Sequence, residues 1–230
     1  KAALANFDRT LALFSPLAAQ KPDDSALVTE ISNAMAWRAD ALKIGGDVGG
    51  ALAQRQAQAK LLEKLLEREP QIASAKNDYS TAMRELGNMA SLSGQSSTAM
   101  KSIQKALAMS VELRNSDPQN AEYKLFEIMN RLDLAAVHLE RCDQNGALVQ
   151  INSALPMLQS IPDPDKNLRQ EKEQIDLQLQ IFAFRGQMLA GNGGELSGAL
   201  RDLIDQKTMA MARMKPGRDD PLYFARAEIA

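Results

Sequence analysis

The chain repeats itself every 48 residues. Ala3-Leu4, Ala51-Leu52, Ala99-Met100 and Ala147-Leu148 recur at that spacing, as do Pro22, Pro70 and Pro118, and Leu17, Leu65, Leu113 and Ile161. A fixed period of this size marks a solenoid, because each repeat buries its apolar face only against its neighbours. The repeat therefore overrides the length prior of one or two globular domains for 230 residues. Ala, Leu, Met, Gln, Glu, Lys and Arg dominate, all good helix formers. With only 4% aromatic residues and no strand-like alternation, the expected class is all-α.

Each unit reads as two helices, A and B, and two breaks. The first B helix runs from about Ala2 to Gln20 and stops at Lys21-Pro22-Asp23-Asp24, where proline ends one helix and Asp23 or Asp24 caps the next. The first full unit has helix A over Ser25 to Ile44, the turn Gly45-Gly46-Asp47, and helix B from Gly50 to Arg68. The second has helix A over Ile72 to Leu92, the turn Ser93-Gly94-Gln95, and helix B over Ser97 to Asn115. The third has helix A over Ala121 to Arg141, the turn Asp143 to Gly146, and helix B over Ala147 to Ser160. In the fourth, helix A covers Leu168 to Ala190 and helix B ends near Met214. Its turn, Gly191 to Glu195, is longer, so Ala199-Leu200 falls 52 residues after Ala147. The domain expectation is one solenoid over 1–230: a partial repeat at 1–24, repeats at about 25–71, 72–119, 120–167 and 168–218, and the start of a further helix at 219–230. Both ends fall inside a repeat, which reads as part of a longer protein extending at least N-terminally.

Small residues mark close helix approach: Ala39, Gly87, Ala135 and Ala183 in helix A, and Ala51, Ala99, Ala147 and Ala199 in helix B. A bulky side chain in either column would force the helices apart.

A small residue late in helix A (Gly87), a glycine turn (Gly94-Gln95), an Ala-Leu-like opening of helix B (Ala99-Met100) and a closing Asp117-Pro118-Gln119-Asn120 resemble the tetratricopeptide repeat family. The usual unit of that family is about 34 residues. The longer period requires longer helices, and is similar to repeats attached to bacterial serine/threonine kinases and other signalling proteins. The resemblance implies a right-handed α-solenoid of antiparallel helix pairs, with about nine or ten helices here. It also implies a concave face lined by helix A. That places Asn33, Trp37, Asp40 and Lys43 in the groove from the first full unit, and Arg84, Glu85, Asn88 and Ser91 from the second. The third contributes Leu132, Asp133, Ala136 and Glu140, and the fourth Gln180, Phe184 and Gln187.

Three of these residues carry alternatives. Arg84 and Asn88, four apart on one helix face, are similar to the basic-plus-Asn pair that holds a peptide C-terminal carboxylate in some tetratricopeptide domains. Asp133 departs from that clamp, and the other reading is ordinary polar lining. Trp37, the sole tryptophan, is either an exposed hot spot for a partner or core packing.

The remaining chemistry is sparse. Lys and Arg total 27 against 29 Asp and Glu, a net charge of −2, which gives no basic stripe for nucleic acid. His138 and Cys142 are the only His and Cys, too few for a zinc site or a His-based nucleophile arrangement, and His138 reads as an inter-helix residue. The Gly191–Gly194 turn lacks the Gly-Lys-Ser/Thr ending of a phosphate loop. One cysteine permits no intrachain disulfide, which suits the cytoplasm and leaves the periplasm open. No apolar run approaches the ~20 residues that span a bilayer. The expectation is a non-catalytic module with no cofactor or metal, binding a protein or peptide in its groove as a scaffold or regulatory part of a larger bacterial protein. The alternative is a small-ligand or peptide sensor of a signalling protein such as a receptor-type kinase.

Overall fold

The computed structural model describes residues 2–21 and 24–162, with 172, 175, 176, 178, 180, 182 and 183 beyond them. Among the described residues there are seven helices and no strand: α1 (Ala2–Gln20), α2 (Ser25–Ile44), α3 (Val48–Arg68), α4 (Ala73–Leu92), α5 (Ser96–Ser116), α6 (Ala121–Glu140) and α7 (Gln144–Gln159). The fold is an all-α solenoid of adjacent helix pairs. The count is lower than nine or ten; of the helices expected after Leu168, residues 172, 175, 176, 178, 180, 182 and 183 are described and helical, and the rest lie outside the described residues. None of the described helices is long and apolar enough to cross a membrane. The chain forms two units, residues 1–130 and 131–230, divided inside α6.

Helix boundaries follow from capping columns that keep the 48-residue register. At the end of each A-type helix one residue turns left-handed: Gly46 at φ 85°, Gly94 at 71° and Cys142 at 57°. The next amide then donates back five residues, from Asp47 to Leu42 O (2.9 Å), Gln95 to Ala90 O (2.8 Å) and Asp143 to His138 O (2.8 Å). This is a Schellman termination, which satisfies helix carbonyls that would otherwise lack donors.

The B-type helices start at the same residue. The Asp47 carboxylate accepts from Gly50 N (2.8 Å) and that of Asp143 from Gly146 N (2.9 Å), while Gln95 makes no side-chain cap. These caps pull Val48–Gly50 and Gln144–Gly146 into the first helical turn, so α3 and α7 begin two or three residues earlier than the glycines suggest. A Cβ on Gly146 would collide with the His138 ring and the Asp143 carboxylate. At the A-type starts, Asp24 caps Leu27 N (3.0 Å) and Asn120 caps Glu122 N (3.0 Å), whereas Ile72 provides no side-chain cap.

In the first unit each helix packs on the next: α1 on α2, α2 on α3, α3 on α4 and α4 on α5. Leu62, Leu65, Ile103 and Leu113 are buried in these seams, each burial contributing about 1.5–3 kcal/mol. The small columns lie where expected, with Ala39, Gly87, Ala51 and Ala99 all buried. At Gly87 the approach is close enough that an added Cβ would meet the Ile103 side chain and stand 3.1 Å from Ala99 O.

The α2–α3 seam differs from its repeat equivalents. Arg55 is buried and donates to Asp40 Oδ1 (2.6 Å) and Gln58 Oε1 (2.9 Å), and Gln58 donates to Ser32 Oγ (3.1 Å). One repeat later the residues aligned with Arg55 and Gln58 are Ile103 and Ala106, both fully buried. There Ser80 Oγ donates to Ala106 O (2.9 Å), and Asn130 Nδ2 donates to Ser80 Oγ (3.1 Å).

Candidate functional site

The candidate face is the side of α2 and α4 turned away from their apolar seams. In α2, Val28, Ile31, Ala34 and Ala39 are buried. Residues 33, 37, 40 and 44 rise on another side at helical spacing, and Asn33, Trp37 and Ile44 there are exposed. In α4 the same register places Thr81, Glu85, Asn88 and Leu92. The two A-type helices touch, so the two stripes belong to neighbouring helices of one unit.

Trp37 is 61% exposed, which favours the surface reading over core packing. Lys43 is also exposed, at the end where Ile44 and Leu92, aligned one repeat apart, show 87% and 67% of their surface. Asp40, half-buried, is engaged by the buried Arg55 guanidinium and so braces the α2–α3 seam. Arg84 and Glu85 are half-buried and form an ion pair at 3.2 Å, so the cation proposed for a carboxylate clamp already faces a carboxylate. Asn88 and Ser91 are half-buried on the same helix. Asp78, one helical turn before Thr81, is half-buried, and its desolvation pushes the carboxyl above the ordinary aspartate range.

Asp133, Glu140 and Gln180 belong to the second unit, with Asp133 half-buried, Glu140 exposed and Gln180 donating to Asp176 Oδ2 at 2.6 Å. Leu132 is buried and Ala136 half-buried. Phe184 and Gln187 lie outside the described residues.

Two arginines were missed. Arg38 donates from Nε to Asp8 Oδ1 (2.7 Å) and from NH1 to Gln54 Oε1 (2.8 Å), tying α2 to both α1 and α3. Arg55 holds Asp40, as described above. The signal for both was in the columns: Arg38 aligns with Leu86 and Leu134, and Arg55 with Ile103 and Ile151, so each is a charge at a core position.

In the second unit His138 Nδ1 lies 2.7 Å from Asp143 Oδ2, its side chain largely covered. The Gly146 amide, and then His138, hold the Asp143 carboxyl below the ordinary aspartate range. The pair braces the α6–α7 turn, a structural role. Among the described residues no group of three His, Cys, Asp or Glu is placed to hold a metal ion.

No protein-family model and no curated protein matches the chain. Among solved structures, it is similar to BtubC (BKLC) from P. vanneervenii, with a TM-score of 0.52 and 14% identity over 95% of this chain and 94% of that one. At that identity the likeness speaks for the fold alone.

Proposed function

We propose that the chain is a non-catalytic interaction module of the tetratricopeptide type, whose α2–α4 face binds a segment of a partner protein. It acts as a scaffold or regulatory part of a larger protein. The observation that carries this reading is Trp37, the sole tryptophan, held 61% exposed on a regular helix. A rigid aromatic anchor beside polar groups is the composition of an interface hot spot. Arg84, Glu85 and Asn88, half-buried on the neighbouring helix, supply the polar contacts that would fix an extended or helical peptide.

The test is a peptide-display selection on the whole chain, followed by fluorescence polarisation with labelled selected peptides. Trp37→Ala is expected to weaken binding at least tenfold, and Arg84→Ala and Asn88→Ala by less, all with unchanged melting curves. Binding untouched by all three substitutions would sink the assignment. Thermal shifts with small metabolites but with no peptide would favour the sensor reading instead.

A further inference from the structure

We infer that the segment held on the α2–α4 face is basic at one end and apolar at the other, with a Lys or Arg side chain set against Glu30 and Asp78 and a large aliphatic one against Ile44 and Leu92. This inference rests on the function proposed above and names the chemistry of the partner.

The stripe that carries Trp37 extends one turn further back along both helices. Residues 30, 33, 37, 40 and 44 keep one side of α2, and 78, 81, 85, 88 and 92 the same side of α4. Glu30 and Asp78 are therefore equivalent positions on two helices that touch. Glu30 is exposed and Asp78 half-buried. Burial is the one influence on the Asp78 carboxyl, and among the described residues no donor or cation offsets it. A desolvated carboxylate without a cation disfavours its own charged form, and a cation brought by a partner relieves that penalty. The other acidic groups of the face are already paired, Asp40 with Arg55 and Glu85 with Arg84. In α6 the same column continues as the half-buried Phe126, which confines the acidic end to α2 and α4.

The opposite end has the opposite character. Ile44 and Leu92 show 87% and 67% of their surface there, beside the exposed Lys43. Each apolar residue follows its acidic counterpart by 14 positions, and Trp37 stands midway in α2. At the helical rise that separation is about 21 Å, which an extended chain covers in about six residues. The face thus has a direction, and a segment of matching polarity lies along it in one orientation.

The experiment pans the whole chain against a random peptide display library and measures fluorescein-labelled selected peptides by polarisation at low and high salt. The selected peptides should share a Lys or Arg and a large aliphatic residue, in one fixed order, and should bind more weakly as salt rises. Glu30→Gln with Asp78→Asn should weaken binding about tenfold and remove most of the salt dependence. Ile44→Ser with Leu92→Ser should weaken it at either salt concentration. Asp78→Asn should keep or raise the melting temperature, because folding disfavours this carboxylate, so lost binding is not lost folding. Peptides that need Trp37 but tolerate both carboxylate substitutions, or selected peptides that are acidic, overturn this inference and leave the face reading standing. No bound peptide, or binding indifferent to Trp37→Ala, Arg84→Ala and Asn88→Ala, removes the face reading and this inference with it.

Discussion

Cys142 is the point at which the repeat breaks its own backbone rule, and replacing it should stabilise the chain. The column it belongs to is otherwise glycine, Gly46 and Gly94, and all three residues sit at positive φ. The hydrogen bonds around them match: Gly46 N to Lys43 O is 3.0 Å, Gly94 N to Ser91 O is 2.9 Å and Cys142 N to Leu139 O is 3.0 Å. An L-residue with a Cβ in this region costs about 1–2 kcal/mol. Glycine loses more backbone entropy on folding, about 0.5–1 kcal/mol relative to alanine. Cys142 is exposed, so no packing is lost with its side chain. The net expectation for Cys142→Gly is a gain of about 0.5–1 kcal/mol. For a protein of this size that is roughly 1–4 °C in melting temperature. Gly94→Ala, which puts a Cβ into the same conformation one repeat earlier, should lose a similar amount. The assay is thermal and urea unfolding followed by circular dichroism under reducing conditions. Cys142→Ser is the control, since it removes the thiol and keeps the strain, and it should melt with the parent. A Cys142→Gly variant no more stable than parent, or a Cys142→Ser variant equally stabilised, would refute the strain argument.

Five further outcomes are expected. Arg55→Ala should cost about 2–3 kcal/mol in urea unfolding, because it leaves Gln58 buried without its donor and Asp40 without its cation. The pair Arg55→Ile with Gln58→Ala installs the residues found at the equivalent positions of the next two repeats and should restore most of that loss. Gln95→Asp supplies the missing N-cap of α5 and should add about 1 kcal/mol, read as a higher melting temperature. Gly87→Leu should lower the melting temperature by several degrees, since even a Cβ there meets the Ile103 side chain, and overpacking costs about 1–3 kcal/mol. Finally, Asp143 has its carboxyl pKa lowered in the folded state. Its stabilisation is therefore full above the unfolded aspartate value of about 3.9 and is lost as pH falls through the lower folded value. Melting curves from pH 6 down to about pH 2 should show the advantage over Asp143→Asn shrinking below about pH 4, and a constant difference would refute it.

The columns that keep their residue type are the ones that were legible in advance. The 48-residue register located every described helix, and α1 and α2 have the limits expected from Pro22, Asp24 and Gly45. Ala39, Gly87, Ala51 and Ala99 revealed the close seams because backbone approach tolerates few side chains, and that constraint acts at every repeat. The helix starts were less legible. Glycine at 49, 50 and 146 suggests a turn, yet an aspartate cap outweighs that propensity by satisfying the first free amide. The termination at Cys142 was hidden because its left-handed backbone is imposed by the Asp143-to-His138 bond, while the residue type argues against it.

The polar face was the least legible, for a related reason. Trp37, Glu85 and Asp133 share a column, as do Asp40, Asn88 and Ala136, and neither column keeps a residue type. Solvent-facing positions need not repeat, so periodicity carries no information about what they do. A helical frame places Asp40 in the groove, but only the structure shows its carboxylate held by Arg55. The reverse case is Arg55 itself, a charge in a column of isoleucines. In a repeat protein a departure inside an otherwise apolar column is the readable signal, because the scaffold alone would not require it. By that criterion the α2–α3 seam is an individual part of the described chain, and its polar network underlies the helix that presents Trp37.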